Sequence, residues 1–387
     1  MRAALALMFF ASTATAQTCG GPVNSFIDGV KAEARANGIS ATNADRFFQG
    51  AQIEQSVLNA DRSQGVFQKD FLEFSRALIS QNRVSNGATY SQRYDSTFRT
   101  IESRFGIPRG VLLAFWAFET DFGQVQGNFN TRNALLTLAH DCRRPDLFRP
   151  QLLAAMELFQ RGDMDPVNTT GAWAGEIGQV QMLPRDIIER GMDGDGDGHV
   201  TLKTSAPDAL MSGANVLSSL GWRPNEPWLQ EVILPANLDW AQTGLNHKAS
   251  VRDWANAGVT PRSGALGPAN LKASVLLPMG RNGPAFLAYP NFDVYFEWNK
   301  SFVYVTTAAY FATRLDGAPA YNAGNPSPSL SGQQMQQLQQ KLTARGYDVG
   351  GIDGILGAKT REAVQAEQQR LGLPADAWPT VDLLNQI

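Results

Sequence analysis

Two groups of residues in this chain have the types and spacing for chemistry. The first is a lone carboxylate, Glu119, which follows the run Val-Leu-Leu-Ala-Phe-Trp-Ala-Phe at 111–118. A carboxyl group held among Phe115, Trp116, Phe118 and Phe122 loses hydration. That loss disfavours the ionised form and raises the pKa toward that of a general acid. The second group is Asp193-Gly-Asp-Gly-Asp-Gly-His199, with carboxylates at positions 1, 3 and 5 and glycine at position 6 of a loop. Oxygen donors at those positions, with the position 7 carbonyl supplied by His199, match a calcium loop; Thr204 stands at position 12, where a bidentate Glu would complete it.

An element must hold each group in place. Pro108 suits the first turn of a helix and Gly123 suits its end, so 111–122 reads as a helix that is apolar on nearly every face and therefore buried. Glu119 falls near the C-terminus of that helix, whose partial negative charge also disfavours ionisation. Asp121 lies two residues on, turned about 200° away on a helix, so it is no natural second acid. Residues 22–104 show helical apolar spacing, with Phe26, Ile27, Val30 and Ala34, then Phe47 and Phe48, and an aromatic stripe at Phe67, Phe71 and Phe74; this reads as scaffold. From 221 to 290 the mixture of Pro, Gly and Trp with short alternating runs predicts loops around a small sheet. Trp222, Trp228, Trp240 and Trp254 in this region are expected mostly to pack.

Composition limits the possible functions. The chain has 387 residues, 43% of them hydrophobic, enough for two domains with a substantial core. A formal charge of -3 implies no basic face for nucleic acid, and no stretch past the N-terminus reaches the roughly 20 apolar residues of a membrane span. Arg2, the apolar stretch 3–11 and Ala14-Thr-Ala16 read as a signal peptide over 1–16, with Gln17 as first mature residue. Ala16-Gln17-Thr18-Cys19 lacks the Leu of a lipid-attachment site, so the expected product is periplasmic and not lipidated. In an oxidising compartment the two cysteines, Cys19 and Cys142, predict one disulfide.

The Glu119 helix ending in Phe122-Gly123, together with Gly171-Ala-Trp-Ala-Gly-Glu-Ile-Gly-Gln-Val-Gln-Met-Leu-Pro184, resembles the membrane-bound B family of lytic murein transglycosylases. The resemblance spans nearly the whole mature chain. It implies a mainly α, lysozyme-like catalytic domain with a small β element over 17–316, with Glu119 as the catalytic residue. By the same resemblance Gln181 binds sugar beside that glutamate, Asn299 and Tyr304 of the run 289–304 face it, and Arg143 and Arg144 lie near the cleft, within reach of stem-peptide carboxylates. Asp208 would close the Asp193, Asp195, Asp197 and His199 loop around a structural calcium ion. Ala172 stands where the family commonly has Ser, so that hydroxyl is absent. Residues 317–331, rich in Pro, Gly, Ser and Asn, read as a linker, and 332–387 resembles the small three-helix peptidoglycan-binding domain. Glu367 and Ala377 depart from that domain's usual aromatic and Gly.

Ordinary glycosidases place two carboxylates about 5 to 9.5 Å apart. A single acid suits a non-hydrolytic route, and the resemblance implies a lyase that cleaves the MurNAc-GlcNAc bond with formation of 1,6-anhydro-MurNAc and needs no cofactor for chemistry. Glycan strands are the expected partner, with other cell-wall enzymes as candidate partners. A hydrolytic muramidase and a non-catalytic wall-binding scaffold are the alternatives.

Overall fold

A computed structural model describes residues 19–63 and 69–387; the signal-peptide reading of 1–16 and Phe67 of the aromatic stripe lie outside the described residues. Among the described residues the chain forms seventeen α-helices and seven short strands, so it is mainly α, as expected. It divides into two units. One gathers the described residues up to Arg62 with Gly127–Ile177 and Leu183–Ile188; the other gathers the rest, including the Glu119 helix and the C-terminal residues.

In the first unit an antiparallel pair of strands, β1 (Phe129–Asn130) and β2 (Thr170–Gly171), sets Phe129 opposite Gly171. Glycine is required at Gly127, where an added Cβ would lie 2.1 Å from the Gly171 carbonyl oxygen. A disulfide joins Cys19 to Cys142, as the even cysteine count predicted. The Gly20 amide donates to the His140 carbonyl at 2.8 Å, and His140 packs edge-on against Phe26.

In the second unit the apolar run forms the helix Arg109–Thr120, with Gly110 to Ala117 and Thr120 all buried. Pro108 precedes it as N-cap rather than joining its first turn. The helix lies antiparallel to a second one, Phe302–Leu315: Phe118 stacks on Phe311 at 5.4 Å, and Tyr304 at the start of the second helix reaches Glu119 at the end of the first. Where they cross, a Cβ on Gly110 would lie 2.7 Å from the Ala312 carbonyl oxygen, so only glycine permits this approach. Gly110→Ala should therefore destabilise the chain by about 2 kcal/mol through overpacking, despite the better helix propensity of alanine. A denaturant titration of the two proteins measures this.

The small sheet exists and is antiparallel. Its strands β3 (Leu229–Ile233), β4 (Ala249–Ser250), β5 (Thr260–Pro261), β6 (Lys272–Leu276) and β7 (Phe286–Ala288) lie in the order β4-β6-β7-β3-β5. Trp222, Trp228 and Trp254 are buried, and each donates its indole N–H to a backbone carbonyl, so they pack rather than stack on ligand.

Residues 317–331 are an extended strap fastened to the rest of this unit. The Tyr321 amide donates to the Tyr310 hydroxyl, the Asn322 amide to Glu231, and the Asn325 amide to the Asn282 carbonyl. Ser329 donates to Asp70 at 2.6 Å. The composition of a loose linker thus serves a segment pinned by its own amides. Helices Gly332–Ala344, Ala358–Arg370 and Val381–Gln386 follow, around Met335, Leu338, Leu342, Val364 and Leu383. Glu367 is fully buried because Arg345, Arg370 and the Tyr347 hydroxyl surround its carboxylate. Ala377 keeps a left-handed backbone, φ 59°, at the position where glycine was expected.

Candidate active site

Glu119 sits one residue before the end of its helix, which stops at Thr120 instead of running to 122. Asp121, Phe122 and Gly123 follow in the left-handed region, with φ of 52°, 59° and 84°. Two successive non-glycine residues there are strained, and such strain persists only where surrounding contacts over-determine it. Those contacts are visible: the Phe122 amide returns to the Trp116 carbonyl, and Thr120 Oγ1 donates to the Gln179 carbonyl at 2.6 Å while accepting from the Gly123 amide. The strain turns the chain sharply away from Glu119.

The Glu119 side chain is half-buried, and desolvation raises its pKa above the ordinary carboxyl value. Two hydrogen bonds oppose that rise by favouring the anion: Tyr304 Oη donates to Oε1 at 2.6 Å and Trp298 Nε1 donates to Oε1 at 3.0 Å. Burial and the neighbouring carboxylate push the Tyr304 hydroxyl well above its usual range, so it remains a donor. Both donors converge on Oε1, and among the described residues no hydrogen bond reaches Oε2. Asp121 is paired with Arg83 at 2.8 Å.

The other expected positions fall into place unevenly. Gln181 adopts a left-handed backbone, φ 52°, and its amide donates to the Gly178 carbonyl at 2.8 Å. Asn299 does not hydrogen-bond Glu119. Its Oδ1 accepts from the Ser301 amide at 2.9 Å, which shapes the turn between helix Pro290–Trp298 and the next. The preceding residue, Trp298, makes the contact instead. Sequence reading passed over Trp298 as one aromatic among many, although its place beside Asn299 was the available signal. Arg143 and Arg144 both pair with Asp61, which is 2% exposed in the first unit, and Arg143 also donates to the Asp61 carbonyl. A buried carboxylate stripped of its cations is costly. The pair with Asp61 fixes where both arginines stand, while their side chains stay partly exposed.

The aspartate loop brings Asp193, Asp195 and Asp197 together, with ligand atoms within 4.8 Å of one another. Asp193 accepts from the Gly196 and Gly198 amides, Asp197 accepts from the His199 amide, and Asp195 accepts from Ser205 Oγ. Asp208 was expected to close this group as a ligand. It is buried beside the loop, with Oδ1 accepting from the Gly194 amide and Oδ2 from the Thr201 amide, both at 2.8 Å. The donor set is all oxygen, which fits a hard divalent cation.

Known proteins agree with this architecture. The family model for the transglycosylase SLT domain matches residues 22–313, and one for a putative peptidoglycan-binding domain matches 331–387. The membrane-bound lytic murein transglycosylase B of Escherichia coli is 27% identical over 60% of this chain, and the match spans 63% of that relative's length. The crystal structure of SltB3 from Pseudomonas aeruginosa in complex with NAG-anhNAM-pentapeptide is 35% identical, with a TM-score of 0.86 over 95% of this chain and 99% of that one. The Escherichia coli lytic transglycosylase Slt35 in complex with calcium is 25% identical, with a TM-score of 0.64 over 80% of this chain and 98% of that one. With the transglycosylase SLT domain matched over residues 22–313, three quarters of its length, the chain belongs to the SLT-domain lytic transglycosylase family.

Proposed function

We propose that this chain is a periplasmic lytic transglycosylase that cleaves the β-1,4 bond between N-acetylmuramic acid and N-acetylglucosamine in peptidoglycan. The observation that carries the reading is the Glu119 carboxyl, raised by burial and gripped at Oε1 alone by Tyr304 and Trp298. In the first step Oε2 delivers its proton to the glycosidic oxygen as the bond to muramoyl C1 breaks. The carboxylate left behind is stabilised by the two donors, which oppose the effect of burial. In the second step it takes the proton of the muramoyl C6 hydroxyl as O6 attacks C1. The product is a 1,6-anhydromuramoyl end, the acid is regenerated, and no water is consumed. Binding of anhydromuramoyl-pentapeptide by the SltB3 neighbour, and the SLT family match, support this substrate class. Gln181 serves as a sugar contact, and the C-terminal module as a hold on the wall.

Export by the 1–16 segment fits this substrate, as does the disulfide. Mass spectrometry of digested sacculi tests the function: anhydro ends are expected, whereas reducing ends or an intact wall would refute it.

The loop of Asp193, Asp195 and Asp197 with the His199 carbonyl would hold a calcium ion, and the calcium-bound Slt35 neighbour supports that assignment. Three carboxylates at this spacing repel one another, and a bound cation would offset the repulsion. A ligand that binds only the folded state stabilises it by roughly 2.7 kcal/mol at a hundredfold excess over Kd. Melting temperature should therefore rise between chelator and millimolar calcium in the parent, and stay fixed in Asp195→Ala with Asp197→Ala. Turnover should survive the chelator, since no step of the proposed reaction draws on the ion.

A further inference from the structure

The two donors to Glu119 stand at either end of one short segment, Trp298 closing one helix and Tyr304 in the first turn of the next, with Phe302 between them. Phe302 is buried in the core of the second unit, with the Phe296 ring 6.3 Å away on one side. The guanidinium of Arg361, from the C-terminal module, lies 4.4 Å from the Phe302 centroid.

Arg361 is an unusual residue to bury. It is 8% exposed, and among the described residues it has no ion-pair partner; Asp376, whose charge it senses, pairs with Arg281. Desolvation brings its pKa down to about 9, and its Nε has no hydrogen-bond partner. A cation buried without a carboxylate is costly unless other contacts compensate. Besides Trp378 and the nearby charge of Asp376, the compensating contacts lie outside the module: Nη1 donates to the Leu277 carbonyl at 3.3 Å, Nη2 to the Pro278 carbonyl at 2.8 Å, and the face of the group rests on Phe302. One turn on, Gln365 donates to the Trp240 and Thr243 carbonyls. Cavities of about 340 and 500 Å³ flank this seam, and Arg361 and Phe302 line both.

We propose that the C-terminal module, besides holding wall, positions the catalytic acid: Arg361, seated on Phe302, fixes the segment from Trp298 to Tyr304 so that both side chains stay bonded to Glu119. Arg361 is thus a positioning residue that never touches substrate. The proposal rests on the assignment of Glu119 as acid and base. The groups facing Glu119 are Tyr304 and Trp298, while Asp121, just past the end of the Glu119 helix, pairs with Arg83 of the helix Gln81–Arg93. Loosening the segment weakens the two bonds that favour the carboxylate, so the acid stays protonated to higher pH and its anion becomes a poorer intermediate.

The test uses the full chain as Arg361→Met, Arg361→Lys and Phe302→Leu, with Glu119→Gln beside them, on soluble glycan fragments. In Arg361→Met kcat should fall about tenfold, the equivalent of one charge-assisted hydrogen bond. KM should hold, and the alkaline limb of the kcat profile should move to higher pH. Arg361→Lys, which keeps a cation over the ring, should recover part of kcat. Phe302→Leu should shift the limb in the same direction, and it carries the test if Arg361→Met does not fold. A rise in KM at unchanged kcat, or a limb that stays in place in the folded variants, would overturn the proposal and leave the module as a tether. Activity retained in Glu119→Gln would instead overturn the acid assignment beneath it.

Discussion

Glu119→Gln should fold and lose at least a hundredfold in kcat, because an amide can neither deliver a proton to the glycosidic oxygen nor take one from the C6 hydroxyl, and general acid-base catalysis is worth about 10² to 10⁴. The substitution keeps the shape of the side chain, and its carbonyl can still accept from Tyr304 and Trp298 at Oε1. The same change has a second, opposite consequence for stability. Burial raises the Glu119 pKa in the folded chain above its unfolded value. The folded state therefore binds this proton more tightly than the unfolded state, and stability is lost as pH rises through the folded-state pKa. Glutamine escapes that loss. Melting curves for parent and variant should coincide at low pH, below the unfolded-state pKa of glutamate. They should separate in favour of the variant above the folded-state pKa. An inactive variant that also outlasts its parent at alkaline pH is the signature of a residue retained for chemistry at some cost in stability.

Cys142→Ser should weaken the fold by about 3 to 5 kcal/mol, the second large effect. The bridge to Cys19 spans a sequence separation of 123, so its loss returns a large loop to the unfolded ensemble. It also frees the first described residues, which are tied down nearby by the Gly20 amide on the His140 carbonyl and by His140 Nε2 bonded to the Gly21 carbonyl. Denaturant titration of the variant, and of the parent under reducing conditions, should show matching losses. A midpoint that does not move would mean that the bridge is absent from the protein in solution.

Much of this was legible in the chain because burial is written locally. Eight apolar residues before Glu119 leave a helix no solvent face, so the environment of the carboxyl followed from its neighbours. The exact stop of that helix did not, since the turn at Asp121 and Phe122 depends on Gln179, some sixty residues away, accepting from Thr120. The same limit explains Trp298. Which indole among eight meets a carboxylate is decided by the antiparallel pairing of two helices far apart in sequence, and composition is blind to it. Asp61 as the partner of Arg143 and Arg144 was not legible either, because a pair of cations implies a nearby anion without saying which, and Asp61 sits about eighty residues back. The course of 317–331 was open for a related reason: Pro, Gly, Ser and Asn suit a flexible spacer and a pinned segment equally, and only the partners of Tyr321, Asn322 and Asn325 decide between them.

The central claim is that Glu119 activates the muramoyl C6 hydroxyl and not water. Digesting sacculi in water enriched in heavy oxygen, and weighing the new muramoyl ends, addresses it directly. The account predicts anhydro ends that carry no label, with their formation lost in Glu119→Gln. Reducing ends that carry the heavy isotope would contradict it, because water would then have attacked C1.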